Sequence, residues 1–393
     1  MNTMLKISIS KSESIVLLIA IVSMVPFTFE TEQAGLYINY FYIFLLFLPF
    51  LGLRYTKSGI SLVAFYSMIY LLGLFNIYNN DWYYAIRVTA SYVVFLIPFL
   101  ITFVKLEERY FKKFLQAVVL VGVIYSLFLI YQILSIGYNG DFYKTKELMG
   151  SNRYGFVFVF GFFVLLFDQK IRYVIKVTSL TLLLIGLTLT FSRASIVAFG
   201  AAAMIFVIFN FKNLNIKYII GAIAFGLVVV IVFRETIIGQ IADFFGQYLL
   251  SYSKYNLTDS RSSEGYRLYV FGQIFDYVMK HPLFGSNYAG LYLLYDEYRD
   301  VGASAHNQYT DILLRTGFVG FSVFLLILTK MLKFYWRNYA GVFYGLIGIV
   351  VYGLFHETFK LAHGSFIFAM LLSHYLYCVE PKRKIVWETP QQN

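Results

Sequence analysis

Apolar stretches alternate with short polar ones along almost the whole of the 393-residue chain. Most of these apolar stretches approach or reach the roughly 17–25 residues that a helix needs to cross a bilayer. The pattern predicts an all-α polytopic membrane protein with about twelve transmembrane helices, one of which could be re-entrant near Gly155 or Ser192. The predicted spans lie near 14–29, 35–53, 58–77, 84–104, 114–136, 153–167, 172–191, 194–210, 216–233, 317–334, 339–357 and 362–379.

Only one interval between the predicted spans is long enough to form a substructure of its own. It divides the chain into residues 1–233 with spans one to nine, a large loop at 234–316, and residues 317–393 with spans ten to twelve and a short basic tail. The loop is predicted to be helical.

Three helical patterns occur within this loop. Apolar residues at 237, 241, 244 and 248 recur at helical spacing and indicate an amphipathic helix on the bilayer surface. A second pattern runs from Glu264 to Lys280, before Pro282. We expect Ser304 to cap a third helix that ends at Gly317. Asp311 and Arg315 would form an i,i+4 ion pair on that helix.

Basic residues are distributed unevenly between the two sides of the predicted membrane. With both termini in the cytoplasm, 19 of the 32 Lys and Arg residues fall inside, six fall in or beside short outer loops, and seven fall in the large loop. The positive-inside rule therefore places both termini in the cytoplasm and the large loop outside. The run from Ile15 to Phe29 lacks a small-residue cleavage site and is interpreted as a retained span.

Composition excludes several other classes of protein. Apolar residues make up 59% of the chain and charged residues 13%, which excludes a disordered chain and an ordinary soluble enzyme. The single Cys378 excludes an internal disulfide. The net charge of +11 is concentrated beside the predicted spans, so a nucleic-acid partner is not needed to explain it.

Three arginines on the outer side are candidates for binding an anion. Arg193 lies where two apolar spans meet, and Arg261 and Arg267 flank the start of the second loop helix. Guanidinium groups bind phosphate oxygens in bidentate fashion, and the free N–H groups of a helix start favour the same ligand. The alternatives are a snorkelling Arg193 and a surface pair between Arg267 and Glu264.

Histidines offer candidates for proton transfer. His306 lies in the loop near Asn307 and Tyr309, although a loop histidine on its own is most often simply solvated. His374 falls in the middle of the last predicted span, where we expect a hydrogen bond to a neighbouring helix.

The sequence gives no reason to expect a cofactor or a metal ion. It has no nucleotide-binding glycine loop, no CxxC and no HExxH. The outer acidic residues do not have the spacing of metal ligands; they are Asp259, Glu264, Asp276, Asp296, Glu297 and Asp300.

Three strings in the second half of the chain resemble a known family when taken together. They are SRAS at 192–195, RLYVFGQIFDYVMKHPLFGSNYAG at 267–290, and AHNQYTDILLRTGFVG at 305–320. Their order and spacing resemble the O-antigen ligase/polymerase superfamily of bacterial envelope glycosyltransferases. The resemblance covers roughly residues 150–330, and the first four spans agree only in hydropathy.

The resemblance implies a fold similar to the GT-C glycosyltransferases and an active site that faces the periplasm from the bacterial inner membrane. It implies a glycan donor on undecaprenyl diphosphate and catalysis without a bound metal. Arg193 and Arg267 correspond to the arginines that hold the donor diphosphate, and His306 corresponds to the histidine that acts at the acceptor. We assign Arg153, Arg261, Asn307 and Tyr309 to substrate binding.

Two activities within the superfamily share this donor and differ in their acceptor. A polymerase transfers the growing chain to another lipid-linked repeat unit, and a ligase transfers the finished chain to lipid A–core. The stretch from Lys144 to Gly155 resembles an outer loop seen in polymerases, which favours that activity. A chain-length regulator is the partner that a polymerase would have. A glycan flippase is the alternative from another class, but transporters keep their outer loops short and place charges within the membrane.

Overall fold

Helices make up nearly all of the structure, which is a computed structural model. It describes residues 56–77, 106–136, 154–190, 192–210, 263–293, 307–356 and 362–380. It also describes residue 358, two short strands and single positions between 85 and 103. The helices in these residues are α1 (Lys57–Ile77), α2 (Glu108–Ile136), α3 (Gly155–Phe167), α4 (Tyr173–Leu189), α5 (Arg193–Asn210), α6 (Ser263–Lys280), α7 (Gln308–Asn338), α8 (Ala340–Tyr352) and α9 (Ala362–Val379). Short 3₁₀ turns occupy Ile101–Phe103 and Gly290–Leu293.

Three of the described helices are long and apolar enough to cross a membrane. They comprise Lys57–Leu74 in α1, Glu108–Ser135 in α2 and Gln308–Asn338 in α7. Five shorter apolar helices accompany them: α3, α4, α5, α8 and α9. The prediction of a helical membrane protein is confirmed at this level. The number of twelve spans and the cytoplasmic termini stay predictions, since the proposed span at 216–233 and most of those at 14–29 and 35–53 lie outside the described residues.

A short antiparallel pair of strands departs from the all-helical expectation. β1 (Thr28–Glu30) pairs with β2 (Tyr37–Asn39), with Phe29 opposite Ile38. The sequence prediction assigned residues 37–39 to the second span. Aromatic and branched residues favour strands, and Glu30 and Asn39 are polar residues that suit the end of an apolar segment better than its interior.

The centre of the described bundle is α8, which packs against α3 and α5. Glycines along one side of α8 allow its backbone to approach α3 closely: a Cβ at Gly341 would lie 2.7 Å from the Phe163 carbonyl, and one at Gly345 would lie 2.7 Å from the Phe160 ring. Small residues at such spacing let helices approach closely in membranes. Toward the opposite end of α8, the rings of Tyr352 and Phe156 lie 5.4 Å apart, so α8 runs antiparallel to α3.

Polar contacts join the helices at the other end of the bundle. His374 on α9 is fully buried, and its ring nitrogens lie 3.2 Å from a Glu108 carboxylate oxygen and 3.4 Å from the Tyr335 hydroxyl. This confirms the expected hydrogen bond from His374 to a neighbouring helix. The Glu380 carboxylate accepts from the backbone N–H groups of Lys57 and Ser58 and so caps α1.

Candidate functional site

The predicted site residues divide into three groups according to what the structure describes. Arg153, Arg261 and His306 lie outside the described residues. The structure describes the helices that carry Arg193 and Arg267 but not these two side chains. Asn307 and Tyr309 are described in full.

The first turns of α3 and α5 lie in direct contact. A Cβ at Gly155, the first residue of α3, would overlap the side chain of Ser195 in the first turn of α5. Only glycine permits this approach. The contact brings together two buried helix N-termini, each of which carries a partial positive charge. Arg193 is the first residue of α5, and Arg153 immediately precedes the N-cap residue of α3 in sequence.

Hydroxyl groups fix the start of α5. The Ser195 N–H donates to Ser192 Oγ at 3.3 Å, so Ser192 acts as the cap, and the Ser192 N–H donates to Thr190 Oγ1 at 3.3 Å. All three side chains are buried. The Ser195 hydroxyl has no hydrogen-bond partner within the described part of the chain. Hydrogen bonds therefore hold the backbone both before and after Arg193.

The start of α7 is fastened to the end of α8. The Asn307 side-chain oxygen accepts from the N–H groups of Tyr309 and Thr310 at 2.9 and 3.2 Å, and so caps α7. The Gln308 N–H donates to the Gly353 carbonyl at 2.7 Å, and the Tyr309 hydroxyl donates to the Val350 carbonyl at 2.6 Å. The cap is Asn307 and not the predicted Ser304, so His306 precedes α7 and is not part of it.

These contacts bring three helix starts to one end of the bundle. The end of α8 contacts α3 through Tyr352 and Phe156 and contacts α7 through Gly353 and Gln308. The N-termini of α3, α5 and α7 therefore lie at the same end. Each of these helix starts carries a partial positive charge, beside the partial negative charge of the α8 end, so an anionic ligand is favoured close to the starts themselves.

α7 continues through Gly317, where the sequence predicted its end, with a kink at that residue. Gly317 has φ 63° and ψ −171°, a conformation that an L side chain rarely adopts. Two N–H groups after the kink donate to another segment: Phe318 to the Pro282 carbonyl at 2.8 Å and Val319 to the Leu283 carbonyl at 3.2 Å.

The carbonyls before the kink are satisfied by the same segment. Leu314 and Arg315 accept from the N–H groups of Ser286 and Tyr288, at 2.6 and 2.9 Å. The turn at 282–288 thus replaces two helical hydrogen bonds, 318 to 314 and 319 to 315, with four bonds of its own. This exchange locks the turn onto α7.

α6 packs against the part of α7 that precedes the kink, next to this turn. Val270, Ile274 and Val278 are buried and form a small core with Leu314 on α7 and with Leu291. The predicted helix from Glu264 to Lys280 is confirmed, with its start one residue earlier at Ser263. Arg267 lies on α6 three residues before Val270, so the contact with α7 fixes the helix that carries it.

A comparison with protein-family models finds a match in this part of the chain. Residues 178–325 match the O-antigen ligase family. The match confirms the resemblance to the O-antigen ligase/polymerase superfamily and does not separate ligase from polymerase. A search of the curated proteins finds no match.

The O-antigen ligase match covers less than half of the chain, but it includes the segments described above. It contains α5, α6, the turn at 282–288 and the first half of α7, and therefore the positions of Arg193, Arg267 and His306. Members of this family are glycosyltransferase-like enzymes, which function in lipopolysaccharide biosynthesis. Together with the three membrane-capable helices, the match indicates a membrane protein.

Tyr288 is a residue of the O-antigen ligase region whose structural role the sequence did not reveal. It is completely buried, with φ 72°, and its carbonyl accepts from Arg315 Nη1 at 3.0 Å. Its ring packs against Tyr92 and Phe95 at 5.3 and 5.5 Å. Burial holds the pKa of its hydroxyl well above the usual value, so the group stays neutral. Such strain in a bulky residue persists only where packing enforces it.

No group of three or more His, Cys, Asp or Glu side chains is arranged to hold a metal ion within the residues that the structure describes. Asp311 is a buried acid on α7, four residues after Asn307, and its carboxylate is paired with Arg315. The Asp311 carboxylate positions Arg315, which bonds to the turn at 282–288.

Proposed function

We propose that this protein is an O-antigen polymerase that transfers a glycan from undecaprenyl diphosphate onto another lipid-linked repeat unit. The observation that carries the proposal is the meeting of the α3, α5 and α7 N-termini at one end of a membrane-capable bundle, partly within a region that matches the O-antigen ligase family. Three positive helix ends suit a donor whose reactive group is a diphosphate.

In the proposed reaction the acceptor hydroxyl attacks the anomeric carbon of the donor sugar. The bond from that carbon to the diphosphate oxygen breaks, and undecaprenyl diphosphate leaves with the electron pair. His306 takes the proton of the acceptor hydroxyl, because an imidazole of near-neutral pKa can accept a proton at physiological pH. Arg193 and Arg267 stabilise the negative charge that develops on the diphosphate.

Substrate contacts beyond these three residues belong to the same proposal. Arg153 and Arg261 add positive charge for the donor. Asn307 and Tyr309 bind substrate in addition to the structural roles described above, in which the Asn307 oxygen caps α7 and the Tyr309 hydroxyl bonds to α8. We propose that catalysis needs neither a metal nor another cofactor.

The proposed orientation follows from the charges on the described helices. The helix starts at Gly155 and Gln308 lie at one end of the bundle, whereas Lys57, Arg109 and Arg337 lie near the other. The positive-inside rule assigns the second end to the cytoplasm. We therefore propose a GT-C-like protein of twelve spans in the bacterial inner membrane, with both termini in the cytoplasm and the active site facing the periplasm.

A ligase is the second candidate, and one observation favours it. The family model that matches residues 178–325 carries the description O-antigen ligase. A ligase would use the same donor and would transfer the finished chain to lipid A–core. Polymerase is proposed first because the stretch from Lys144 to Gly155 resembles a polymerase loop. A polymerase would also work with a separate chain-length regulator.

Deletion of the gene in its own host, followed by gel electrophoresis of the lipopolysaccharide, tests the proposal. A polymerase defect gives core that carries a single repeat unit and no ladder. A ligase defect gives bare core, with polymer accumulating on the lipid carrier. An unchanged ladder would contradict both activities.

A further inference from the structure

α6 has three distinct sides. With 3.6 residues per turn, positions four apart lie on one side of a helix. Val270, Ile274 and Val278 form the side that packs against α7. Gly272, Asp276 and Lys280 form a second, exposed side, which carries two charges and also includes Tyr269. Between these two sides runs a third one, which consists of Phe271, Phe275 and Met279.

This third side is apolar and uncovered. Phe271, Phe275 and Met279 are 52%, 48% and 57% exposed. Leu283, just beyond the helix, is 61% exposed and extends the stripe. A row of four large apolar side chains in the open is unusual on a surface that faces water.

The stripe continues onto the outward side of α7. Two residues after the end of α6, the Pro282 carbonyl accepts a hydrogen bond from the Phe318 N–H. The Phe318 side chain is 42% exposed. Leu325, two turns further along α7, is 38% exposed. α7 is long and apolar enough to cross a membrane, so these exposed side chains form its lipid-facing side. The α6 stripe is continuous with that side.

α6 itself cannot cross the bilayer. Its 18 residues include Glu264, Arg267, Asp276 and Lys280, and charges at the bilayer centre are costly. A helix with one apolar and one charged side instead lies in the interface, with its apolar side in the boundary between headgroups and acyl chains.

We propose that α6 is an interfacial membrane helix, whose stripe of Phe271, Phe275, Met279 and Leu283 is covered by the lipid bilayer. Asp276 and Lys280 then face water. The proposal goes beyond glycan transfer and does not depend on it. It has a consequence for the proposed function, because Arg267 is one turn before Phe271 and α6 would hold it at the depth of lipid headgroups, where a lipid-linked diphosphate is anchored.

Site-directed spin labelling of the full chain in liposomes tests this contact. Cys378 is the only cysteine, so Cys378→Ser gives a background without reactive thiols. Single cysteines then replace Phe275 or Met279 in the stripe, and Asp276 or Lys280 as matched controls on the same helix. Leu326→Cys, at a position 54% exposed on α7, gives the lipid-facing reference. Each label is measured for collisions with molecular oxygen, which partitions into lipid, and with a water-soluble nickel chelate.

Labels at 275 and 279 are expected to collide several-fold more with oxygen than with the nickel chelate, as at 326. Labels at 276 and 280 are expected to give the opposite ratio. Greater collision of the 275 and 279 labels with nickel would overturn the proposal, since the stripe would face water. Dipolar broadening between labels at 275 or 279 would also overturn it, because a second copy of the chain would cover the stripe. Two positions are labelled on each side of α6, so the comparison can still be made if one variant does not fold.

Discussion

Arg315 donates from Nε to both carboxylate oxygens of Asp311 at 2.9 Å, and both side chains of this ion pair are buried. Arg315 Nη1 also donates to the Tyr288 carbonyl. The ion pair on α7 therefore holds the turn at 282–288, and that turn holds the end of α6. α6, which carries the predicted site residue Arg267, is therefore linked to this buried pair through the turn.

Removal of one partner of the pair should destabilise the protein strongly. Arg315→Met leaves the Asp311 carboxylate buried without its cation, and Asp311→Leu leaves the guanidinium without its anion. Loss of one partner of a buried pair costs about 3–5 kcal/mol. We expect a lower midpoint of thermal unfolding in detergent and reduced abundance in the membrane for each variant.

The double variant Asp311→Leu/Arg315→Met is the control for this prediction. It removes both charges together, and the Tyr288 carbonyl loses the donor Arg315 Nη1 at a cost of about 1–3 kcal/mol. It should unfold at a higher temperature than either single variant. A double variant less stable than both singles would show that charge pairing is not what matters here.

Gly317→Ala should prevent normal folding. Gly317 has φ 63°, and a Cβ there would lie 2.6 Å from the Gly285 backbone nitrogen and would overlap the Leu283 carbonyl. The kink and the turn could not form together. We expect little folded protein by fluorescence-detected size-exclusion chromatography.

Gly272→Ala is the matched substitution for comparison. Gly272 is exposed on α6, with open space where the Cβ would go. Alanine in a helix interior is favoured over glycine by about 0.5–1 kcal/mol, so this variant should be as abundant as the wild type or more so. Equal abundance of Gly317→Ala and Gly272→Ala would refute the role given to the kink.

Gly155→Ala should reduce glycan transfer more than it reduces abundance. The added methyl group overlaps Ser195 and pushes the start of α3 away from the start of α5. Gly200→Ala on α5, where nothing lies within 4 Å of the added Cβ, serves as the control. The measurement is the lipopolysaccharide ladder in a deletion host that expresses each variant at matched level.

A second substitution tests whether this contact is the cause. Ser195→Gly removes the side chain that the new methyl group would meet, so Gly155→Ala/Ser195→Gly should regain part of the ladder. Glycine is less favourable than serine in a helix, so recovery would be incomplete. If the ladder of Gly155→Ala is already normal, close approach of the two helix starts is not required for activity.

Asn307 and Tyr309 can be tested for a role beyond structure. Asn307→Asp keeps an oxygen that caps α7, whereas Asn307→Ala loses it at a cost of about 0.5–2 kcal/mol. Tyr309→Phe loses only the bond to the Val350 carbonyl, about 1 kcal/mol. If both residues bind substrate, Asn307→Asp and Tyr309→Phe should lose transfer while their thermal midpoints change little. Unchanged ladders would leave both residues with structural roles alone.

Local patterns predicted several features correctly. The i,i+4 spacing of Asp311 and Arg315 predicts their ion pair, and the pattern before Pro282 predicts α6. The sequence predicts a helix end at Gly317; α7 continues beyond that residue, but its backbone changes direction there. Each of these features depends on residues within a few positions of one another, which a sequence displays directly.

Features that join distant segments could not be predicted. Nothing in the sequence reveals that Tyr288 bonds to Arg315, 27 residues later, or that the turn at 282–288 replaces helical bonds of α7. The ion pair was expected, but its burial was not, because burial depends on what packs around it. The cap at Asn307 was missed because Ser304 is an equally good capping residue by type.

Transfer by the purified protein in liposomes tests the central claim most directly. The substrate is a single repeat unit on undecaprenyl diphosphate, and the products are separated by glycan length. Wild-type protein should form longer lipid-linked glycans, and Arg193→Ala, Arg267→Ala and His306→Ala should each abolish this activity. Arg337→Ala, at the far end of α7, should retain it. Full elongation by the three variants, or no elongation by the wild type, would contradict the account.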